Sequence, residues 1–351
     1  MKVEPVAWDL AKNVAFKAIS YSTVSVSRDQ LDDMQAEFSL LGKNAEKIVK
    51  KETGLKPAGS AVCKVVDRKG WVEANLTSFR RLLSLAQDRF TDSLIFRKAL
   101  NPATSVAAGI ELGLMLSWMS TKVLGQYDIA VGATGEGDSV YFVAENILSV
   151  EKEYNFDKEQ FRLWIAIHEL THRAQFKGVG WMSDYFESLI KRSVDLAAFT
   201  PKDLIAGMRR SISEISAGNN PLAEHGLVGL FVSGEQMNTL KQAQALMSIL
   251  EGHADVVMDR AATEAVKDAD LFSKTLHARR QASGHINKFV RQATGMEAKA
   301  AQYKQGEQFI YHIESAIGKK VMDKIWSSSE MLPNMDEISH PDLWVERAGG
   351  K

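Results

Sequence analysis

The stretch FRLWIAIHELTHRAQF, residues 161–176, decides how the rest of this chain is read. Its apolar residues Leu163, Trp164, Ile167, Leu170 and Ala174 recur at helical spacing. Asp157, three residues before Gln160, suits the N-cap of that helix, and Gly178 suits its C′ position. Inside lies His168-Glu169-Leu170-Thr171-His172, an HExxH sequence. Residues four apart on a helix stand one turn above each other, so His168 and His172 can offer two imidazole nitrogens to one metal ion. Glu169, between them, is placed to reach a water there and act as general base.

Two histidines are too few, because catalytic zinc takes three protein ligands and keeps a fourth position open. The motif does not continue as HExxHxxGxxH: position 175 is Gln and position 178 is Gly. The third ligand is expected within residues 246–260, LMSILEGHADVVMDR, on a long predicted helix. Glu251 ranks first, Asp259 second and His253 third. Glu251 and Asp255 are four apart and share a face, while His253 lies nearly opposite Glu251. Asp255 is therefore expected to orient a ligand histidine through its other ring nitrogen. His253 is a candidate for lining the cleft, and Tyr311 and His312 join it as candidates to stabilise an oxyanion. The other histidines, including His225 and His285, carry no ligand spacing.

Outward from the motif, helical periodicity dominates and predicts helices over about 8–20, 28–52, 70–88, 104–123, 158–177, 181–194, 202–217, 234–265 and 284–317. The β signal is confined to residues 61–66, 127–131 and 140–143, the last two flanking a Gly-rich turn at 134–138. The fold class is therefore mainly α with a small β-sheet. The edge of the 126–144 hairpin is a candidate for receiving an extended peptide.

Composition narrows the remaining choices. With 45% hydrophobic and 25% charged residues, the chain is an ordinary globular protein. A net charge of -1 gives no overall drive toward nucleic acid or an anionic membrane. Residues 103–124 are long enough to span a bilayer and carry Gly109 and Gly113 as GxxxG, but Glu111 near the centre favours a buried helix of a globular core. Glu4 and Asp9 interrupt any apolar signal sequence, and Cys63 is the single cysteine, so a reducing cytoplasm is expected.

Several separated blocks carry a family resemblance: 8–11 WDLA, 65–83 VVDRKGWVEANLTSFRRLL, 123–129 VLGQYDI, the HExxH stretch, 251–259 EGHADVVMD and 303–309 YKQGEQF. On these the chain resembles the zincin-like metallopeptidases of the group associated with biosynthesis of a deazaflavin coenzyme. The resemblance implies one zincin-like unit over 1–351, with two lobes as an option. These would be 1–178, holding the sheet and the HExxH helix, and a helical 179–351 carrying the third ligand. It implies one zinc per chain at His168, His172 and Glu251, with Glu169 as base. The expected function is hydrolysis of a peptide or amide bond. A non-catalytic metal-binding scaffold or interaction protein that retains the zincin fold is the alternative. A di-iron helical protein is a third reading, because Glu169 and His172 also form ExxH; its second half would have to be Glu337 to His340, where Pro341 disfavours a helix.

Overall fold

The computed structural model describes residues 4–21, 24–90, 101–129, 138–196, 234–282 and 296–349. The predicted helix at 202–217, most of the turn at 134–138, and His225 and His285 lie outside them. Two compact units emerge. The first comprises Met1–Ser183 and Arg260–Phe272, the second Asp184–Asp259 and Ser273–Lys351.

In the first unit, α1 (Trp8–Ile19), α2 (Arg28–Thr53), α3 (Arg68–Phe90), α4 (Pro102–Ser120), α5 (Ala144–Tyr154) and α6 (Lys158–Gly178) surround strands β1 (Val62–Val66), β2 (Gly125–Tyr127) and β3 (Ser139–Val143). The sheet order is β1-β3-β2; β1 runs parallel to β3 and β2 antiparallel to it. The chain is thus mainly helical with a small mixed sheet, as its periodicity predicts. A three-stranded sheet has two edges, and each leaves backbone groups needing partners. On β1 the Gln35 side chain of α2 meets that need, donating to the carbonyl of Cys63 (2.9 Å) and accepting from the N–H of Val65 (2.8 Å).

Helix α2 begins at a capping box between Ser27 and Gln30 and stacks Phe38 on Phe142 of the sheet, ring centroids 4.1 Å apart. Burial pushes the Cys63 thiol of β1 up to about 11, with Glu46 adding to the shift, so at neutral pH it is a protonated, inert thiol.

Helix α4 is the expected core helix on one face only. Gly109 and Gly113 let it press on α1, where an added Cβ would stand 2.7 Å from the carbonyl oxygen of Ala7 and 2.5 Å from that of Ala11. The opposite face leaves Val106, Ile110 and Leu114 exposed. The small residues that make α4 look membrane-like serve a close helix crossing. No helix among the described residues is long and apolar enough to cross a membrane.

The second unit is built from α7 (Met182–Leu196) beyond Ser183, most of α8 (Gly234–Glu264), α9 (Ala269–Ala282) beyond Phe272, and α10 (Met296–Ile317) with the short helices α11 (Lys319–Met322), α12 (Met335–Ser339) and α13 (Pro341–Gly349). Phe309, Ile313, Ile325 and Trp344 lie in its core. Helices α8 and α10 touch backbone to backbone at Gly252 and Gly306. A Cβ on Gly252 would lie 2.4 Å from the amide nitrogen of Glu307, and one on Gly306 would lie 1.9 Å from the carbonyl oxygen of Ser248. Any side chain at either position would force the helices apart.

Candidate metal centre

Asp157 caps α6 by accepting the N–H of Gln160 at 2.9 Å. The capping box stays half-made, because Gln160 Oε1 accepts the N–H of Lys267 instead (2.7 Å). Gly178 is the last helical residue and extended Val179 the C-cap, so Gly178 is not the C′ residue expected of it. Along residues 161–176 every side chain is buried except two: His168 and His172. The apolar residues on the helix are walled in, and the motif histidines alone reach accessible space.

The two imidazoles stand nearly perpendicular, with ring centroids 4.7 Å apart. One nitrogen of His168, one of His172 and one carboxylate oxygen of Glu251 all lie within 4.8 Å of one another, a set that could hold a metal ion. Two imidazoles and a carboxylate are a donor set suited to zinc, leaving a fourth position open. Among the described residues this is the one group of three His, Cys, Asp or Glu side chains so arranged.

The Nδ1 of His172 lies 3.0 Å from Oε1 of Gln175, which is fully buried. A carbonyl oxygen only accepts, so Nδ1 carries the proton and Nε2 keeps its lone pair. Sequence reasoning gave the orienting role to Asp255 alone and overlooked Gln175. The signal was available, since residues three apart on a helix are neighbours.

Glu169 is almost wholly buried, and its Oε2 accepts the N–H of Tyr127 on β2 at 3.1 Å. That amide belongs to the free edge considered above for an extended peptide. In this structure Glu169 already occupies it.

The other candidates fall as follows. Asp255 is half-buried one turn from Glu251 on α8. Asp259 accepts the Tyr311 hydroxyl at 2.9 Å. His253 is 2% exposed and packs its ring on Trp326, centroids 4.9 Å apart. That packing gives a histidine a reason to be there without any substrate. His312 lies 2.8 Å from Asp342 on the surface. Glu337, the start of the second ExxH, caps α12 with Asn334 and pairs with Arg347 at 2.5 Å, while His340 leans on the carbonyl of Asp336. Neither residue joins a metal-holding group among the described residues.

No curated protein matches the chain. A crystal structure from Chloroflexus aurantiacus, described as that of a proposed hydrolase with a novel fold, is similar at 25% identity over 99% of each chain, with a TM-score of 0.72. The family model for zincin-like metallopeptidases matches residues 6–345, and the chain accordingly belongs to that family.

Proposed function

We propose that the protein is a zinc-dependent peptidase or amidase, with His168, His172 and Glu251 as ligands and Glu169 as general base. The observation that carries this reading is that within residues 161–176 only His168 and His172 are not buried, and that one atom of each lies within 4.8 Å of a carboxylate oxygen of Glu251. Zinc, when bound, supplies Lewis acidity, which acidifies water and polarises a carbonyl oxygen. The protein's part is to hold and move protons. Glu169 Oε2 is occupied by the Tyr127 amide, so Oε1 is the oxygen that accepts the proton of the attacking water and returns it to the leaving amine. Gln175 keeps His172 in the tautomer with Nε2 available. Asp255 is assigned to orienting a ligand histidine, by its place one turn from Glu251. The link to deazaflavin coenzyme biosynthesis rests on the family resemblance alone and forms no part of this reading.

The test is cleavage of a fluorogenic peptide library by the full chain. Chelation should stop cleavage and one equivalent of zinc per chain should restore it, with Glu251→Gln no longer retaining the ion. Cleavage indifferent to chelation would sink the reading. Gln175→Met keeps much of the buried volume but removes the acceptor. Zinc affinity, measured by competition with a chelating dye, should then fall by roughly 10- to 100-fold, the usual cost of losing such a partner.

A further inference from the structure

The residues that support Glu169 form a second, separate construction within the first unit. Strand β2 is an edge strand, flanked by two bonds to β3: the carbonyl of Leu124 accepts the N–H of Val143, and the N–H of Asp128 donates to the carbonyl of Ser139. Backbone groups alternate sides along a strand, so Gly125 and Tyr127 turn theirs away from β3. Glu169 lies on that side. It takes the Tyr127 N–H at 3.1 Å, and a Cβ on Gly125 would stand 2.7 Å from its Cγ and 3.0 Å from its Cδ and Oε1. A bare backbone at 125 is the condition for the carboxylate to lie where it does.

The strand is in turn fixed by α3 on both sides of Tyr127. Asn75 and Gln126 exchange amide hydrogen bonds at 3.0 and 3.3 Å, and Asn75 also donates to the carbonyl of Trp71 at 2.9 Å. The hydroxyl of Ser78 lies 3.0 Å from each carboxylate oxygen of Asp128. Asn75, Ser78, Tyr127 and Asp128 are all buried, where hydrogen bonds hold position more firmly than at the surface. The Tyr127 ring leans on Phe176 of α6, centroids 6.1 Å apart. Four polar side-chain contacts, partly or fully buried, thus converge on a strand of three residues and the aspartate that follows it.

We propose that Gly125 and the Tyr127 amide are the positioning site for the Glu169 carboxylate, and that Asn75 and Ser78 hold that site in register through Gln126 and Asp128. The inference rests on the reading of Glu169 as general base. Its contribution is orientation: with Oε2 held by the Tyr127 amide, Oε1 lies beside the first motif histidine, 3.4 Å from Nδ1 of His168. A misplacement on the order of 1 Å at such a group can cost about 100-fold in rate.

The experiment uses the full chain with zinc bound and two readouts, hydrogen exchange at the Tyr127 amide and hydrolysis of the peptide library. Gly125→Ala should speed exchange at Tyr127 at least tenfold and lower kcat about 100-fold. KM and the one-zinc stoichiometry should stay unchanged. Asn75→Ala and Ser78→Ala should do the same more mildly, and either serves if Gly125→Ala fails to fold. Unchanged exchange at Tyr127 in the folded variants would overturn the proposal, as would faster exchange with undiminished kcat. If wild type cleaves nothing, the base assignment for Glu169 fails. The exchange readout then still decides whether Gly125 and Tyr127 hold the carboxylate.

Discussion

Glu169→Gln should still bind one zinc ion per chain and should lose hydrolysis by about 10²- to 10⁴-fold, the range general acid–base groups contribute. Gln has nearly the shape of Glu, and its amide oxygen can go on accepting the Tyr127 N–H. The stability change should therefore be small. What the amide cannot do is take a proton from water at neutral pH. Zinc ligation does not pass through position 169, so metal content separates loss of the base from loss of the site. The measurements are metal analysis and single-turnover cleavage on the same preparation. A scaffold would behave differently: it would keep whatever binding it performs, and its zinc, with nothing further to lose. Wild-type rates in a zinc-loaded Glu169→Gln protein would remove Glu169 from the chemistry.

The second large effect concerns stability. Arg173→Leu should destabilise the first unit by about 3–5 kcal/mol, the cost of stripping one partner from a buried ion pair. The Arg173 side chain is 1% exposed on the side of α6 facing away from the two histidines. Its Nε donates to Asp138 at 2.6 Å, Nη1 to Glu46 at 3.0 Å, and Nη2 to the carbonyls of Ala58 and Gly59 at 3.0 Å each. One guanidinium thus ties α6 to α2, to the start of β3 and to the loop before β1. Leucine fills part of the space and leaves two carboxylates and two carbonyls without that donor. Asp138 and Glu46 keep 17% and 26% side-chain exposure, so water relieves part of the penalty and the lower half of the range is expected. Arg173→Lys should rescue little, since an ammonium is a point donor and cannot span the fork. Urea unfolding followed by tryptophan fluorescence checks both variants, and a loss below about 1 kcal/mol for Arg173→Leu would contradict the argument.

Much of this was legible from residue order. His168, Glu169 and His172 follow from helical spacing, and the Asp157 cap from turn chemistry, because both are local properties. Glu251 was reachable by a more indirect route, from the need for a third ligand and the concentration of acidic groups in one segment. The supporting residues were less accessible. Asn75 and Ser78 look like ordinary helix polar residues until the fold sets them beside Gln126 and Asp128, far along the chain. His253 shows the same limit from the other side: its place in the core against Trp326 follows from no spacing rule. The exposed face of α4 shows the same limit, since composition reports how apolar a helix is and not how many of its sides are covered.

The meeting of Gly252 and Gly306 bears on the helix that carries position 251. With two backbones already in contact there is no slack by which α8 could creep along α10. Glu251 is the residue next to that contact, so its place on the second unit is set by two missing side chains. A methyl group at 252 or 306 would act on the carboxylate without touching it, by lifting its helix from the neighbour it rests on.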